Sequence, residues 1–199
     1  GCCLRRIITP METIANARAT ALIGLSGQAG AFDQALVQSV AANSPRPIVF
    51  PLSNPTANSE AVPEDVLAWT NGAAVVATGS PFPDVMLGGK HHVIGQGNNA
   101  FIFPGLGLGS LVTAASKVTD NMLTAAAEAL AEYTDPGRLI EGAVYPRVDA
   151  LRRASKHVAV AVAKQAISDG VARNAVDDDV AGAVASAMWE PRYLPIRRP

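Results

Sequence analysis

Three short apolar runs, each ending in small polar residues and separated from the next by a helical segment, constrain this chain more than any other feature. The first is Thr20-Ala21-Leu22-Ile23-Gly24-Leu25-Ser26, the second Pro47-Ile48-Val49-Phe50-Pro51-Leu52-Ser53, and the third Ala73-Ala74-Val75-Val76-Ala77-Thr78. Runs of this length without polar alternation read as strands buried on both faces. Between the first two lies a helix with Phe32, Leu36, Val37 and Val40 on one face, stopped by Asn43-Ser44-Pro45. Between the second and third lies a helix with Pro63 in its first turn and Glu64 and Asp65 behind it, where acids favour the helix dipole. It ends at Asn71-Gly72. Strand, helix, strand, helix, strand is an α/β pattern with a parallel sheet. Pro51 cannot donate to a sheet ladder, which argues against a fully bonded central position at that end of its strand.

In an open parallel sheet the ligand crevice lies at the C-terminal ends of the strands. The loops there are Ser26–Gly30, Ser53–Thr56 and Gly79–Phe82, all rich in Ser, Asn, Thr and Gly. Residues 83–99 read as a loop. After Asn99 the chain reads as helical. Thr119-Asp120 caps a helix carrying Met122, Leu123, Ala126, Ala127 and Leu130, which Asp135-Pro136-Gly137 ends. A longer helix runs from Asp149 to Ser168, and a last one opens at Asp177-Asp178-Asp179. The tail 191–199 is expected to be extended, and residues 1–19 are given no element.

Composition narrows the functional classes. The 199 residues are 49% hydrophobic and 17% charged, with a net charge of -1, so no basic stripe exists to follow a phosphate backbone and nucleic acid is not an expected partner. No apolar run is long enough to span a bilayer, so no membrane association is expected. The adjacent Cys2 and Cys3 cannot close a loop as a structural disulfide, which points to a reducing, cytoplasmic setting. The start lacks an initiating Met and reads as truncated.

Three segments together carry a family resemblance. They are Leu22 to Phe32; Pro47 to Thr56, with Glu60 shortly after; and Ala77-Thr78-Gly79-Ser80-Pro81-Phe82, resuming at Gly95-Gln96-Gly97-Asn98-Asn99-Ala100-Phe101-Ile102-Phe103-Pro104-Gly105. In this order and spacing the chain resembles the malic enzymes over residues 20–199, including a Tyr145-Pro146 pair, whereas 1–19 reads as an unmatched leader. The resemblance implies the second half of a Rossmann-like cofactor domain over 20–134, followed by C-terminal helices over 135–199. It implies an oxidoreductase that converts malate to pyruvate and CO2 with NAD or NADP and Mg²⁺ or Mn²⁺, and a homo-oligomer at full length. The family's catalytic Tyr and Lys, its substrate Arg and its acidic metal ligands are expected upstream, so no catalytic residue and no metal ligand is assigned here. The isolated chain is expected to be inactive. A malolactic enzyme, which releases lactate, is an alternative within the family. A non-catalytic remnant whose half-sheet exposes an apolar edge is an alternative outside it.

The resemblance implies that Asn54 reaches both nicotinamide and substrate, and that Asn98 and Asn99 face the malate. Amide side chains orient a ligand and stay neutral at any working pH. The plainer readings are an Asn-Pro turn and a helix cap. Ser26 and Gly27 are expected beside the cofactor, chiefly through close backbone approach, with an ordinary tight turn as the alternative. Gly105-Leu106-Gly107-Leu108-Gly109 imitates a dinucleotide fingerprint, but it does not follow a strand and reads better as close helix packing. His91 and His92 read as members of a solvated loop, His157 as structural and Lys117 as a solvated helix residue.

Overall fold

The computed structural model describes residues 8–174, 176 and 179–190. Cys2, Cys3, Asp177, Asp178 and the tail 191–199 lie outside the described residues. The chain forms two compact units, one of residues 1–98 and 134–148, the other of 99–133 and 149–199. The division thus falls at 98/99, not at the 134/135 boundary expected from sequence, and residues 134–148 belong with the sheet.

The first unit opens with a helix, α1 (Pro10–Ala17), where none was expected. Thr9 accepts from the Glu12 N–H through its Oγ1 (3.2 Å), and the Glu12 carboxylate accepts in return from the Thr9 N–H (3.0 Å). This reciprocal box satisfies two N–H groups that the helix itself cannot. Only Ile14 of the helix is buried, so there was little periodic signal to read.

The three expected strands form as β1 (Ala21–Gly24), β2 (Ile48–Pro51) and β3 (Val75–Thr78), with α2 (Gln34–Ala41) and α3 (Pro63–Trp69) between them. All pair in parallel, Leu22 opposite Val49 and Val49 opposite Val76. These residues face α2 and α3, where Val37, Val40, Val49 and Val66 are fully buried with Leu36, Leu67 and Phe32. Burying one such side chain contributes roughly 1.5–3 kcal/mol. Pro51 is the last residue of a strand with neighbours on both sides. Its missing N–H falls where the ladder ends, while its carbonyl accepts from Gly79.

Residues 83–99 are not a plain loop. β4 (Val85–Leu87) and β5 (Lys90–His92) make an antiparallel hairpin closed by Gly88 and Gly89, both at positive φ (59° and 79°). Two consecutive left-handed residues match the twist of a two-residue hairpin turn. β6 (Gly95–Gln96) then joins the main sheet, giving the order β1-β2-β3-β6. β5 (Lys-His-His) and β6 (Gly-Gln) carry almost no strand signal of their own, and β4 (Val-Met-Leu) is apolar but only three residues long.

In the second unit, α4 (Phe103–Val112) and α5 (Asp120–Tyr133) follow, with Thr119 accepting from the Met122 N–H as the expected cap. Asp135 does not merely end α5. It caps a further helix, α6 (Pro136–Ile140), in the first unit. Back in the second unit, α7 (Leu151–Ser168) is the central helix, with Ala154, Val158, Val162 and Ala166 fully buried. α8 (Val180–Ala187) is capped by Asp179 and packs Val184 against Ala159 and Ala163. Gly105 and Gly109 of α4 lie against α7: a Cβ on either would come within 2.7 Å and 2.6 Å of the Ser155 and Ala159 carbonyl oxygens. The false fingerprint is therefore a helix-packing stripe. Lys117 lies exposed in the connection between α4 and α5 rather than in a helix, and His157 is exposed with its ring 5.6 Å from that of Tyr133.

Candidate functional site

Parallel pairing brings the ends of β1, β2 and β3 to one edge of the first unit, and a buried carboxylate organises that edge. Glu60 is fully buried. Its Oε1 accepts from the Ser26 N–H (2.7 Å), the Ser26 hydroxyl (2.8 Å) and the Ser53 hydroxyl (2.5 Å), while Oε2 accepts from the Ser53 N–H (3.3 Å). Ser53 Oγ in turn accepts from the Gly27 N–H (2.8 Å). Burial alone would raise the Glu60 pKa, but the donors from Ser53 and Ser26 outweigh it and hold the carboxyl at about 2. Gly24 leaves the space for this carboxylate, since a Cβ there would meet the Glu60 side chain at 2.6 Å.

Ser26 and Gly27 therefore sit at the strand end where they were expected, but their donors are used within the protein. The Ser26 hydroxyl and N–H serve Glu60, the Gly27 N–H serves Ser53, and Gly27 is at positive φ (68°). What they offer outward is backbone surface. Glu60 was visible in the sequence only as a residue trailing the second motif. Its role as the hub depends on contacts across 34 and 7 positions that no local pattern signals.

Asn54 lies at the end of β2, exposed, with a cis peptide to Pro55. Its Oδ1 accepts from the hydroxyl of Ser80, a buried residue at the end of β3 (2.5 Å). The Nδ2 group makes no hydrogen bond among the described residues and is left to donate outward. Gly79 allows this closeness, because a Cβ there would collide with the Leu52 carbonyl and approach Asn54 Nδ2. The Gly79 carbonyl accepts from Gln96 Nε2 (2.9 Å), so β6 braces the same turn. Ser80 and Gln96 were not singled out by sequence, although both lie inside the motifs.

Asn98 and Asn99 fall on opposite sides of the division between the units. Both are exposed. Asn99 opens a short 3₁₀ turn and its carbonyl accepts from the Ile102 N–H. Neither caps α4, whose N-cap position is Ile102 with no side-chain hydrogen bond.

Among the described residues no three His, Cys, Asp or Glu side chains converge to hold a metal ion. No described helix is long and apolar enough to cross a membrane. The edge made by Ser26–Gly27, Ser53–Asn54 and Gly79–Ser80 suits a neutral, hydrogen-bonding part of a nucleotide cofactor.

Residues 5–167 match the malic enzyme NAD-binding domain. The chain belongs to the malic enzyme family. The match starts at residue 5, so most of the expected unmatched leader, α1 included, is malic enzyme sequence. The chain is 46% identical over 191 residues to an NAD-dependent malic enzyme of Shewanella denitrificans and 47% identical over 188 residues to one of Pseudomonas aeruginosa. These alignments cover 96% and 94% of this chain but 34% and 33% of those proteins, so the chain spans about a third of the curated relatives it matches. Among solved structures it resembles the malic enzyme of Entamoeba histolytica (TM-score 0.68, 32% identity, covering 85% of this chain and 31% of that one). It also resembles that of Pyrococcus horikoshii (TM-score 0.66, 26% identity, covering 89% and 36%). The mostly parallel α/β sheet is thus the Rossmann-like fold of malic enzymes.

Proposed function

We propose that this segment forms the nicotinamide-side part of the cofactor domain in an enzyme that oxidatively decarboxylates malate to pyruvate and CO2. The observation that carries the reading is the Asn54–Ser80 pair within the malic enzyme match. With Oδ1 accepting from the Ser80 hydroxyl, Asn54 presents its Nδ2 amide, both N–H groups unused among the described residues, as an outward donor. That donor fits a carbonyl or hydroxyl oxygen of cofactor or substrate and exchanges no proton with it. The cofactor, when bound, accepts a hydride, and the names of the relatives favour NAD, with NADP as the less supported choice. Asn54 orients, Ser80 fixes the amide rotamer, and Glu60 holds the β1 and β2 loops at the distance that permits both. Asn98 and Asn99 supply further amides toward malate. The Mg²⁺ or Mn²⁺ that such an enzyme uses finds no ligand set among the described residues. The full-length protein is proposed to be a cytoplasmic homo-oligomer, with neither nucleic acid nor membrane as partner.

The test is malate- and Mn²⁺-dependent reduction of NAD and, separately, NADP by the full-length protein, with product analysis. Pyruvate with NAD is expected, and Asn54→Ala should lower kcat/KM by roughly 100-fold, the scale of one lost orienting donor. Lactate as product would favour the malolactic alternative. The 199-residue chain alone should show no turnover, and turnover there would overturn the account.

A further inference from the structure

Within the first unit, the end of the sheet opposite Asn54 and Ser80 carries a cavity of about 860 Å³. It lies where β2 and β3 begin, and its wall includes Arg46, Gly72, Lys90, His92 and, from the 134–148 segment, Leu139 and Ile140. An adjoining cavity of about 520 Å³ shares Gly72, Lys90 and His92. Volumes in this range suit small-molecule ligands.

Its charge is one-sided. Arg46 and Lys90 form no ion pair or side-chain hydrogen bond among the described residues, and no Asp or Glu lines either cavity. His92 is only 6% exposed, yet its ring makes no hydrogen bond among the described residues. Buried polar side chains ordinarily find a partner. Here the ring lies on the cavity wall instead, and Gly72, at positive φ (74°), leaves room for it: a Cβ there would come within 3.3 Å of the imidazole. Burial, with Lys90 and His91 close by, holds the His92 pKa below its usual value. His91 is different: it is paired with Asp84 at 3.2 Å and lines neither cavity.

We propose that this cavity binds a small anion, a phosphate or carboxylate group, between Arg46, Lys90 and the His92 imidazole, with Leu139 and Ile140 receiving an apolar remainder of the ligand. Arg supplies a planar fork and Lys a point charge, the two recurrent donors to such groups. His92 adds a fixed ring N–H. The position, at the strand N-termini, makes this a site for an effector and not for the nicotinamide.

The test titrates the ¹⁵N-labelled 199-residue chain, carrying Ile23→Lys outside the cavity to suppress self-association, in buffer free of both probes, with inorganic phosphate and, in a second arm, with succinate. Saturable shifts centred on Gly72, Lys90 and the His92 ring are expected in at least one arm, and the stronger arm identifies the anion. The exposed double substitution Arg46→Ala/Lys90→Ala should weaken binding at least roughly tenfold, as loss of charge-assisted hydrogen bonds does. Lys164→Ala, which removes an exposed charge in the other unit, should leave it unchanged. Shifts that never saturate, equal loss in both variants, or saturation centred on Gly27 and Ser53 would each overturn the proposal.

Discussion

At the scale of single residues, the ionised and fully buried Glu60 decides the shape of the candidate site. Removing one partner from a buried charged network leaves the others unsatisfied, so Glu60→Ala should cost about 2–4 kcal/mol, read from urea unfolding. Glu60→Gln keeps the shape and should cost less. The pH dependence has a definite sign. The folded pKa of about 2 lies below the ordinary 4.5, so the contribution of Glu60 is full above 4.5 and disappears as pH falls from 4.5 through 2. Asp169, which accepts from Thr119, Asn121 and Gln165, is shifted in the same direction and adds to the same acid-side loss. The difference between wild type and Glu60→Gln isolates the first group: melts at about pH 5 and about pH 3 should give a smaller stability change for the variant. A difference of the same size at both pH values would contradict the assignment.

At the scale of elements, α4 offers an internal comparison. Gly105 and Gly109 touch the backbone of α7, whereas a Cβ on Gly107 would meet nothing within 4 Å. Gly107→Ala should therefore stabilise the protein by up to about 1 kcal/mol through helix propensity. Gly105→Ala and Gly109→Ala should each destabilise it by about 1–3 kcal/mol, since the added methyl must push two helices apart. Thermal unfolding of the three variants side by side checks this, and equal effects would refute the packing account. Elements with apolar periodicity or strong caps (β1 to β3, α2, α3, α5, α7) were legible in the sequence. α1, β4 to β6 and α6 were not, because they are short and hold their places through a capping box, a Gly-Gly turn or a neighbouring strand.

At the scale of the whole molecule, β1 ends the sheet on one side, and Ile23 and Leu25 beside it are 59% and 76% exposed. The face that Ile23 shares with Phe50 is covered in part by Tyr145, whose ring centroid lies 6.2 Å from that of Phe50. An open strand edge flanked by apolar side chains invites pairing between copies. The isolated chain should self-associate at micromolar concentrations, and Ile23→Lys should shift it toward monomer in sedimentation velocity while leaving unfolding within about 0.5 kcal/mol, as an exposed substitution does. A monomeric wild type would remove the basis for this expectation.

Local order determined the parallel α/β pattern, the strand-end loops and the family motifs, because burial periodicity, proline and glycine act over a few neighbouring residues. Asn54 stands out only through the contiguous Ser53-Asn54-Pro55-Thr56 motif of the family resemblance; by local pattern alone it reads as an ordinary Asn-Pro turn. Only the tertiary structure decided that Ser80 fixes its amide, that Glu60 occupies the donors of Ser26 and Ser53, and that His92 is buried on a cationic cavity. Those partnerships join residues from separate strands, and a hydrogen bond across 26 or 34 positions exists only once the sheet has aligned the strand ends.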